Sequence, residues 1–581
     1  MIDSNPTPLQ PPGKITGSHP AIRFKQVPII PGSLFDLEKK RARILSEVVQ
    51  KTKEDLSQES LENLLGEALF SEKARLKRQS LNWYTRSRYQ KDQKLWGEVH
   101  QGFLKPSGEV DRETLLHEVI SHYAEEIGGH FDPRIYPFAT RAVPWLFSWL
   151  LNAASVQRFL PWGMTESLSS RLHIVGEIPA LQNLASRGTI LLVPTHQSNI
   201  DSVLIGYVIY LMSLTPFAYG AGLNLFSNPI LGFFMSRLGS YTVDRQKKNE
   251  IYKNTLKNYS TRILKEGIHC IFFPGGGRSR SGAIENRVKL GLLGTGLEAQ
   301  IDLLKSGSQK KVFVVPMVIS NHFVLEAGSL IEEYLAELGK HRYIFGKEDA
   351  WQIKKVVGFF WNFFSSHNAV TVRIGRALDV FGNFVDSEGR SLGPNGTFID
   401  PARWLTTAGE LKADPMRDQE YTRELGERLT ERFHRENTVL SSHLVAFSFF
   451  ETLRRKYPDF DLFRFLRLSL EQRSILFSQF LGSAEGFHKR VLELEAKGAL
   501  YVSPELKTLS TEAWVKDGIR SLGYLHDAAV VKLKDDVIFT ENMNLLYYYR
   551  NRLTGYGLSL LAQRFDSSNF LRQNDAQGFL V

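Results

Sequence analysis

The stretch "TILLVPTHQSNIDSV", residues 189–203, decides how the middle of this chain folds. Its first six residues are mostly apolar and end at a proline, which is typical of a buried strand that Pro194 terminates. The polar residues 195–199 predict a turn, and the apolar residues that follow Asp201 predict a helix. The stretch therefore predicts a strand–turn–helix unit, with His196 in the turn and Asp201 at the start of the helix.

The spacing of His196 and Asp201 decides whether the two side chains can act together in catalysis. Five residues along a continuous helix turn about 500°, which would leave the two side chains on different faces. They meet only if His196 lies in the turn before the helix, where the carboxylate can bond one imidazole nitrogen and leave the other as a general base. The pair by itself also fits a loop histidine beside a helix-start charge, so further motifs are needed to choose.

Short β-rich runs alternate with helical patterns from about residue 171 to about residue 380. These runs are "TILLVP", "GSYTVD", "HCIFFP", "VFVVPMVIS" and "AVTVRIG". Strands that alternate with helices predict the α/β fold class.

The regions on either side repeat apolar residues at helical spacing. We expect a loose tail at 1–33, a helical region at 34–130, an α/β domain at 131–400 that begins with an amphipathic lead-in near 142–157, and a helical domain at 401–581. The tail lacks the basic and apolar regions that define a signal peptide.

The charge balance favours anionic partners. Lysine and arginine number 72 against 62 aspartate and glutamate, a formal net charge of +10. Phosphorylated metabolites and acidic lipid headgroups fit this balance, whereas the dispersed cations and the lack of a known module argue against nucleic acid. The single cysteine, Cys270, excludes an internal disulfide and is expected to be a buried structural thiol.

Residues 202–236 contain no charged side chain and no histidine, and such a run is long enough to cross a bilayer. Pro216, Pro229 and several glycines interrupt it. We therefore expect a broken segment, buried in the α/β core or apposed to a lipid surface, with a true membrane span as the alternative.

A second motif, "IFFPGGGRSRSG", occupies residues 271–282, where an apolar strand runs into three glycines and two arginines. Glycines let backbone amides approach an anion, and Arg278 and Arg280 can each fork onto phosphate oxygens. A glycine turn with solvated arginines is the alternative. Arg245 after "GSYTV" and Lys289 in "VKLG" are further candidate cations, although each alone would be taken for surface charge.

Taken in order, the segments "HQSNID", "GSYTVDR", "FPGGGRSRSG" and "VVPMVIS" resemble the four blocks of the glycerolipid acyltransferase superfamily, and in particular its large bacterial membrane-bound glycerol-3-phosphate acyltransferases. The resemblance covers about residues 115–560 and includes "YGAGLNLFSNPILGFFMSRLG" and "LLYYYRNRL". It implies a central mixed sheet flanked by helices.

The resemblance also implies residue roles. His196 would be the general base of the HxxxxD motif, and Asp201 would orient it. Substrate binding would fall to Arg245, Gly276, Gly277, Arg278, Ser279, Arg280, Lys289 and Pro316, with the cations on the phosphate, the glycines shaping the loop and Pro316 near the acyl chain. No metal and no cofactor is expected, because acyl-CoA or acyl-acyl carrier protein is a co-substrate.

Two positions depart from the family pattern. The third block usually reads FPEGG, whereas this chain has Gly275 where the glutamate is expected, and Asp244 stands where the second block often has a basic residue. Because His196, Asp201, Arg278 and Arg280 are all present, we expect activity to be retained.

The implied function is transfer of a fatty acyl group to the sn-1 hydroxyl of glycerol 3-phosphate, which gives lysophosphatidate in the first step of phospholipid synthesis. Lysophosphatidate or dihydroxyacetone phosphate is the alternative acceptor, and a non-catalytic lipid or phosphate binder is the other alternative. Membrane phospholipids are expected partners, with peripheral or monotopic attachment to the cytoplasmic side of the inner membrane.

Overall fold

The computed structural model describes residues 34–78, 83–105, 111–140, 172–199, 201–226, 229–339, 370–407, 410–523, 526 and 528–559. The predicted tail at 1–33 and the predicted amphipathic lead-in near 142–157 lie outside these residues.

Four helices follow a short 3-10 turn at Leu34–Asp36 in the N-terminal region. They are α1 (Leu37–Leu56), α2 (Leu61–Arg78), α3 (Trp83–Leu104) and α4 (Arg112–Ile127). Apolar residues three and four positions apart give each helix one buried stripe, as Ile44, Leu45, Val48 and Val49 do in α1. Asp111 caps α4 by accepting the Glu113 backbone N–H.

A seven-stranded mixed sheet forms the centre of the molecule. Its strands are β1 (Leu172–Gly176), β2 (Thr189–Pro194), β3 (Ala218–Gly222), β4 (Ser240–Val243), β5 (Cys270–Ile271), β6 (Val312–Ser320) and β7 (Val370–Ile374). Their order is β1-β7-β6-β2-β5-β3-β4. Strands β2 to β6 run parallel to one another, and β7 pairs antiparallel with β6. The predicted α/β class with a central mixed sheet flanked by helices is confirmed.

Helices cover both faces of this sheet. They are α5 (Ile178–Arg187), α6 (Asp201–Leu211), α7 (Leu223–Phe226), α8 (Pro229–Met235), α9 (Glu250–Lys265), α10 (Leu290–Lys305) and α11 (Ala327–Leu338). All six residues of β2 are buried, because Ile190 and Leu192 belong to the core on one face and Leu191 and Val193 to the core on the other. Burial on both faces explains why β2 is continuously apolar instead of alternating.

The uncharged run at 202–236 is broken, as expected. It contains most of α6, then β3, α7 and α8, none of which exceeds 11 residues. Within the described parts of the chain, no helix has the length and apolarity that crossing a bilayer requires.

Two of the seven strands were not predicted. The strand β1 is only five residues long, and β3 reads "AYGAG", whose two glycines have low strand propensity. Pairing on both sides, with β4 and β5, places β3 in the sheet. Tertiary pairing overrides a weak local preference there.

The C-terminal region is mostly helical and has small sheets of its own. Its helices are α12 (Pro415–Arg435), α13 (Ser441–Lys456), α14 (Leu462–Leu466), α15 (Phe477–Ala496), α16 (Pro504–Thr508), α17 (Thr511–Gly523) and α18 (Met543–Arg550), with 3-10 turns at Pro401–Leu405 and Asn551–Leu553. Its short strands, with those of the preceding loop, are β8 (Phe384–Val385), β9 (Ser391–Leu392), β10 (Phe398–Ile399), β11 (Thr406–Thr407), β12 (Glu410–Leu411), β13 (Thr438–Val439), β14 (Ser474–Leu476), β15 (Tyr501–Val502), β16 (Lys532–Lys534) and β17 (Val537–Phe539). The apolar core of this region includes Phe447, Phe449 and Trp514.

The sheet topology also places the sequence motifs. Because β2, β4, β5 and β6 are parallel, the segments that follow them leave the sheet at one edge. Residues 195–199 follow β2, residues 244–249 follow β4 and residues 272–289 follow β5. Such an edge is where open α/β sheets place their ligand sites.

We predict that Leu192→Ala lowers the free energy of unfolding by about 2–5 kcal/mol, because it leaves a cavity in the central strand. Leu192 is fully buried, whereas Leu476, at the end of β14, is 49% exposed. Leu476→Ala is the matched control and is expected to cost less than about 1 kcal/mol. Denaturant titration of both variants checks the prediction, and equal losses would contradict it.

Candidate active site

His196 and Asp201 meet at the carboxyl end of β2, which the spacing argument allowed only for a histidine in the turn before the helix. Nδ1 of His196 lies 3.0 Å from Oδ2 of Asp201. The same oxygen accepts the backbone N–H groups of Gln197, at 2.7 Å, and Ser198, at 2.8 Å. Asp201 is the first residue of α6 and is buried, so its carboxylate fixes both the turn and the ring from the start of the helix.

The backbone of His196 is held from the opposite side by the glycine-rich segment. Its carbonyl accepts the Ser279 N–H at 2.7 Å, and its N–H donates to Oε1 of Glu285 at 2.8 Å. The imidazole also packs on Phe273, with 4.3 Å between ring centroids. The first and third blocks are therefore joined through the histidine itself.

Lys289 and Arg245, two of the predicted phosphate-binding cations, lie beside the predicted glycine pair. Gly276 has φ +64°, a conformation that favours glycine, and a Cβ there would lie 2.7 Å from Cδ of Lys289. A Cβ on Gly277 would lie 3.7 Å from Nη1 of Arg245. Arg245 comes from the loop after β4 and Lys289 from the residue before α10, so the fold collects two charges distant in sequence around one glycine pair.

The other predicted residues are placed differently. Arg278 pairs with Glu326 at 3.3 Å, and the half-exposed Arg280 pairs with Glu337 of α11 at 2.8 Å. The Ser279 hydroxyl donates to the Ala283 carbonyl. Pro316 is buried in β6 beside Val193 of β2, inside the sheet beneath the turn. Their roles toward a substrate stay predictions.

Glu326 was not found by sequence reasoning. It precedes α11, and its carboxylate accepts the Ser198 hydroxyl at 2.8 Å and the Asn199 N–H at 3.1 Å while pairing with Arg278. This one side chain therefore links the turn of the first block to the arginine of the third. No local pattern signals such a role, because its partners lie 48 or more residues away in the chain.

The loop that carries Arg245 is anchored by buried charges of the N-terminal helices. Asp244 is buried and faces Arg75 of α2 at 3.9 Å. Lys247 is also buried, with its ammonium 3.2 Å from Asp92 of α3 and in contact with Glu126 of α4. The intervening Arg245 is exposed. The acidic residue at 244 is thus part of the support for this loop.

The carboxylates of Asp92 and Glu126 also lie close to His122, and the three could together hold a metal ion. The ammonium of Lys247 already occupies the position between the two carboxylates. A buried ion pair is the appropriate description of this cluster.

The C-terminal region packs directly on the third block. The Asn551 side chain donates to the Ser281 carbonyl at 2.9 Å. Arg552 is buried and donates to the Ile319 carbonyl at 2.8 Å, near the end of β6. Both residues lie in the segment after "LLYYYR", so the helical region contributes to the shape of the site.

Comparison with known proteins concerns the same part of the chain. The family model described as Acyltransferase matches residues 177–320, which include β2, the His196 turn and the glycine-rich segment. This part of the chain is therefore similar to an acyltransferase domain. The resemblance that the sequence motifs indicated is confirmed.

Curated relatives of the acyltransferase domain and its surroundings are named glycerol-3-phosphate acyltransferase. The chain is 27% identical to that of Pseudomonas savastanoi pv. phaseolicola over 399 residues, which cover 68% of this chain and 42% of the relative. It is 26% identical to that of Pseudomonas syringae pv. syringae over 469 residues, 79% of this chain and 48% of the relative. It is 27% identical to that of Ectopseudomonas mendocina over 487 residues, 81% of this chain and 50% of the relative. The chain thus spans about half the length of the curated relatives it matches.

We predict that Asp92 stabilises the protein less as the pH falls. Burial alone would raise the pKa of Asp92, but the hydrogen bond from His122 and the charges of Lys247 and Arg75 hold it well below its usual range. A carboxylate with a lowered folded pKa stabilises the fold above its unfolded pKa of about 3.9 and loses that contribution as the pH falls below it.

The measurement is the free energy of unfolding of the wild type and of Asp92→Asn between pH 7 and pH 3. The variant should be less stable at pH 7 by about 3 kcal/mol, and the difference should shrink below about pH 4. Burial raises the pKa values of the neighbouring carboxyls Glu72 and Asp244, which are present in both proteins. Exposed Asp459→Asn is the control, and a difference that does not change with pH would contradict the prediction.

Proposed function

We propose that this protein transfers a fatty acyl group from acyl-CoA or acyl-acyl carrier protein to the sn-1 hydroxyl of glycerol 3-phosphate. The observation that carries the proposal is the His196–Asp201 pair joined, through the backbone of His196, to a glycine loop at which Arg245 and Lys289 converge. A general base beside a cationic cradle suits an acceptor that has both a hydroxyl and a phosphate. The names of the curated relatives support the same acceptor.

The hydrogen bonds around Asp201 indicate which nitrogen of the His196 ring carries the proton. Oδ2 of Asp201 already accepts two backbone N–H groups, so it acts as an acceptor toward the ring as well. We infer that the ring proton lies on Nδ1, which leaves Nε2 of His196 to accept a proton. The paired carboxylate also stabilises the imidazolium that forms when Nε2 takes up that proton.

The reaction then needs a single transfer. The sn-1 hydroxyl oxygen attacks the thioester carbonyl while its proton passes to Nε2 of His196; the new C–O bond forms, the C–S bond breaks, and the proton leaves with the thiolate. Holding the acceptor by its phosphate against the glycine loop turns an encounter of two molecules into a reaction within one complex. Lysophosphatidate and the free thiol are the products.

We predict that His196→Ala lowers acyl transfer by about 10²–10⁴-fold, because the general base is lost. The assay offers glycerol 3-phosphate, dihydroxyacetone phosphate and lysophosphatidate in parallel to the membrane-reconstituted protein, with acyl-CoA and acyl-acyl carrier protein as separate donors. His117→Ala, at an exposed histidine of α4, is the matched control and should retain activity.

Offering three acceptors in parallel distinguishes the proposed function from its alternatives. Turnover confined to glycerol 3-phosphate and lost in His196→Ala supports the proposal. Turnover of only lysophosphatidate or dihydroxyacetone phosphate would assign the other acceptor. Absence of turnover with every acceptor, with lipid or phosphate binding intact, would indicate a non-catalytic binder.

We also propose peripheral or monotopic attachment to the cytoplasmic side of the inner membrane. An aromatic patch formed by Phe138, Phe233 and Phe234 supports it: Phe138 is 59% exposed, Phe233 is 43% exposed, and the rings of Phe138 and Phe234 stack at 6.0 Å. The guanidinium of Arg237 lies 4.2 Å from the Phe233 ring centroid, which places a cation at the border of the patch. Exposed aromatics beside a cation suit an interface of acyl chains and anionic headgroups.

We predict that the double variant Phe138→Ser/Phe233→Ser binds anionic vesicles at least about tenfold more weakly, since burying one aromatic side chain contributes about 1.5–3 kcal/mol. Phe398→Ser is the matched control, because Phe398 is 60% exposed on β10 and has the guanidinium of Arg390 3.9 Å from its ring centroid, as Phe233 has that of Arg237. Flotation of the three proteins with phosphatidylglycerol-containing vesicles gives the measurement. Equal loss in the control, or no loss in the double variant, would contradict the prediction.

A further inference from the structure

Glu285 contacts the candidate base, although sequence reasoning gave it no role. It lies in the loop between the "GGGRSRSG" turn and α10, and its Oε1 accepts the backbone N–H of His196 at 2.8 Å. The Ser279 N–H donates to the carbonyl of the same residue. Glu285 therefore supplies one of the two hydrogen bonds by which the third block fixes the histidine backbone.

The second carboxylate oxygen is unusual. Oε2 of Glu285 is buried and, among the described residues, has no hydrogen-bond partner. Burial raises the pKa of Glu285, and the His196 N–H and the charge of Arg552 act in the opposite direction. A buried carboxylate oxygen without a hydrogen-bond partner costs folding free energy, which makes Glu285 a candidate for a role in the site.

Position 275 faces this carboxylate. A Cβ built on Gly275 would lie 3.6 Å from Cγ and 3.9 Å from Oε1 of Glu285. Gly275 is not among the glycines with positive φ, so its backbone would accept another L-residue. A side chain at 275 would thus point into the volume that the Glu285 side chain fills.

We propose that Glu285 is a positioning residue for His196, supplying from ten positions further along the chain the carboxylate that position 275 lacks. It orients the base through the His196 backbone N–H, while Asp201 orients the ring. The part of this inference that concerns turnover rests on the proposed acyl transfer; the part that concerns the turn does not.

The test compares four variants with the wild type: Glu285→Ala, Glu285→Gln, Gly275→Glu/Glu285→Ala and, as the exposed control, Glu410→Ala. Glu285→Ala should lower kcat for acyl transfer by about 10²-fold with KM for the acceptor little changed, because a misplaced base slows the chemical step. Glu285→Gln keeps an oxygen that accepts the His196 N–H and should stay within about fivefold of the wild type.

Restoring the carboxylate from the other position is the decisive arm. The acyl-transfer activity of Gly275→Glu/Glu285→Ala should be at least about tenfold higher than that of Glu285→Ala. Its new Cβ would lie 3.2 Å from the Gly277 carbonyl oxygen, a contact that the loop relieves by a shift of a few tenths of an ångström. Failure of the double variant to exceed Glu285→Ala would overturn the proposal.

A second readout does not depend on turnover. Hydrogen–deuterium exchange of the amides at residues 195–199 should be faster in Glu285→Ala, return toward the wild-type rate in the double variant and stay unchanged in Glu410→Ala. If the wild type transfers acyl groups to no acceptor, the proposed function fails, and this exchange pattern alone decides the positioning role. Unchanged exchange in Glu285→Ala would overturn it, and if Glu285→Ala does not fold, recovery of folding by Gly275→Glu supports it while continued unfolding contradicts it.

Discussion

The carboxylate of Asp201 is the interaction on which the site depends. One of its oxygens lies 3.0 Å from Nδ1 of His196 and accepts two successive backbone N–H groups, so a single side chain sets the ring orientation and the path of the turn. A carboxylate at the start of a helix is also stabilised by the N–H groups that lack partners there. The turn, the ring and the helix start are consequently one rigid unit mounted on a buried strand.

Neighbouring elements surround this unit from every side of the sheet edge. Glu326 from the segment before α11 holds the turn, Glu285 holds the histidine backbone, and Asn551 from the C-terminal region holds the glycine-rich segment. The N-terminal helices act on the loop that carries Arg245, since their buried charged side chains pair with Lys247 and Asp244 on either side of it. The N-terminal and C-terminal helical regions thus contact the segments that form the candidate site.

The predicted cations lie at different places along this edge of the sheet. Arg278 and Arg280 each pair with a glutamate, Lys289 lies over Gly276, and Arg245 lies beside Gly277. The pairing of Arg278 with Glu326 couples the same carboxylate to the first block and the third. An anion that draws Arg278 away from Glu326 would also change the hydrogen bonds that hold Ser198 and Asn199.

The sequence by itself determined the strand–turn–helix unit and the α/β class, because each depends on residues close together in the chain and on the period of apolar side chains. It allowed the contact of His196 with Asp201, which the structure then showed. It also indicated the glycine pair and the cations by residue type. Only the tertiary structure decided that β1 and β3 join the sheet, that Arg245 and Lys289 reach the glycines, and that Glu326 and Glu285 hold the turn. These contacts join residues 13 or more positions apart in the chain, and their geometry follows from strand order and helix packing, which no local pattern encodes.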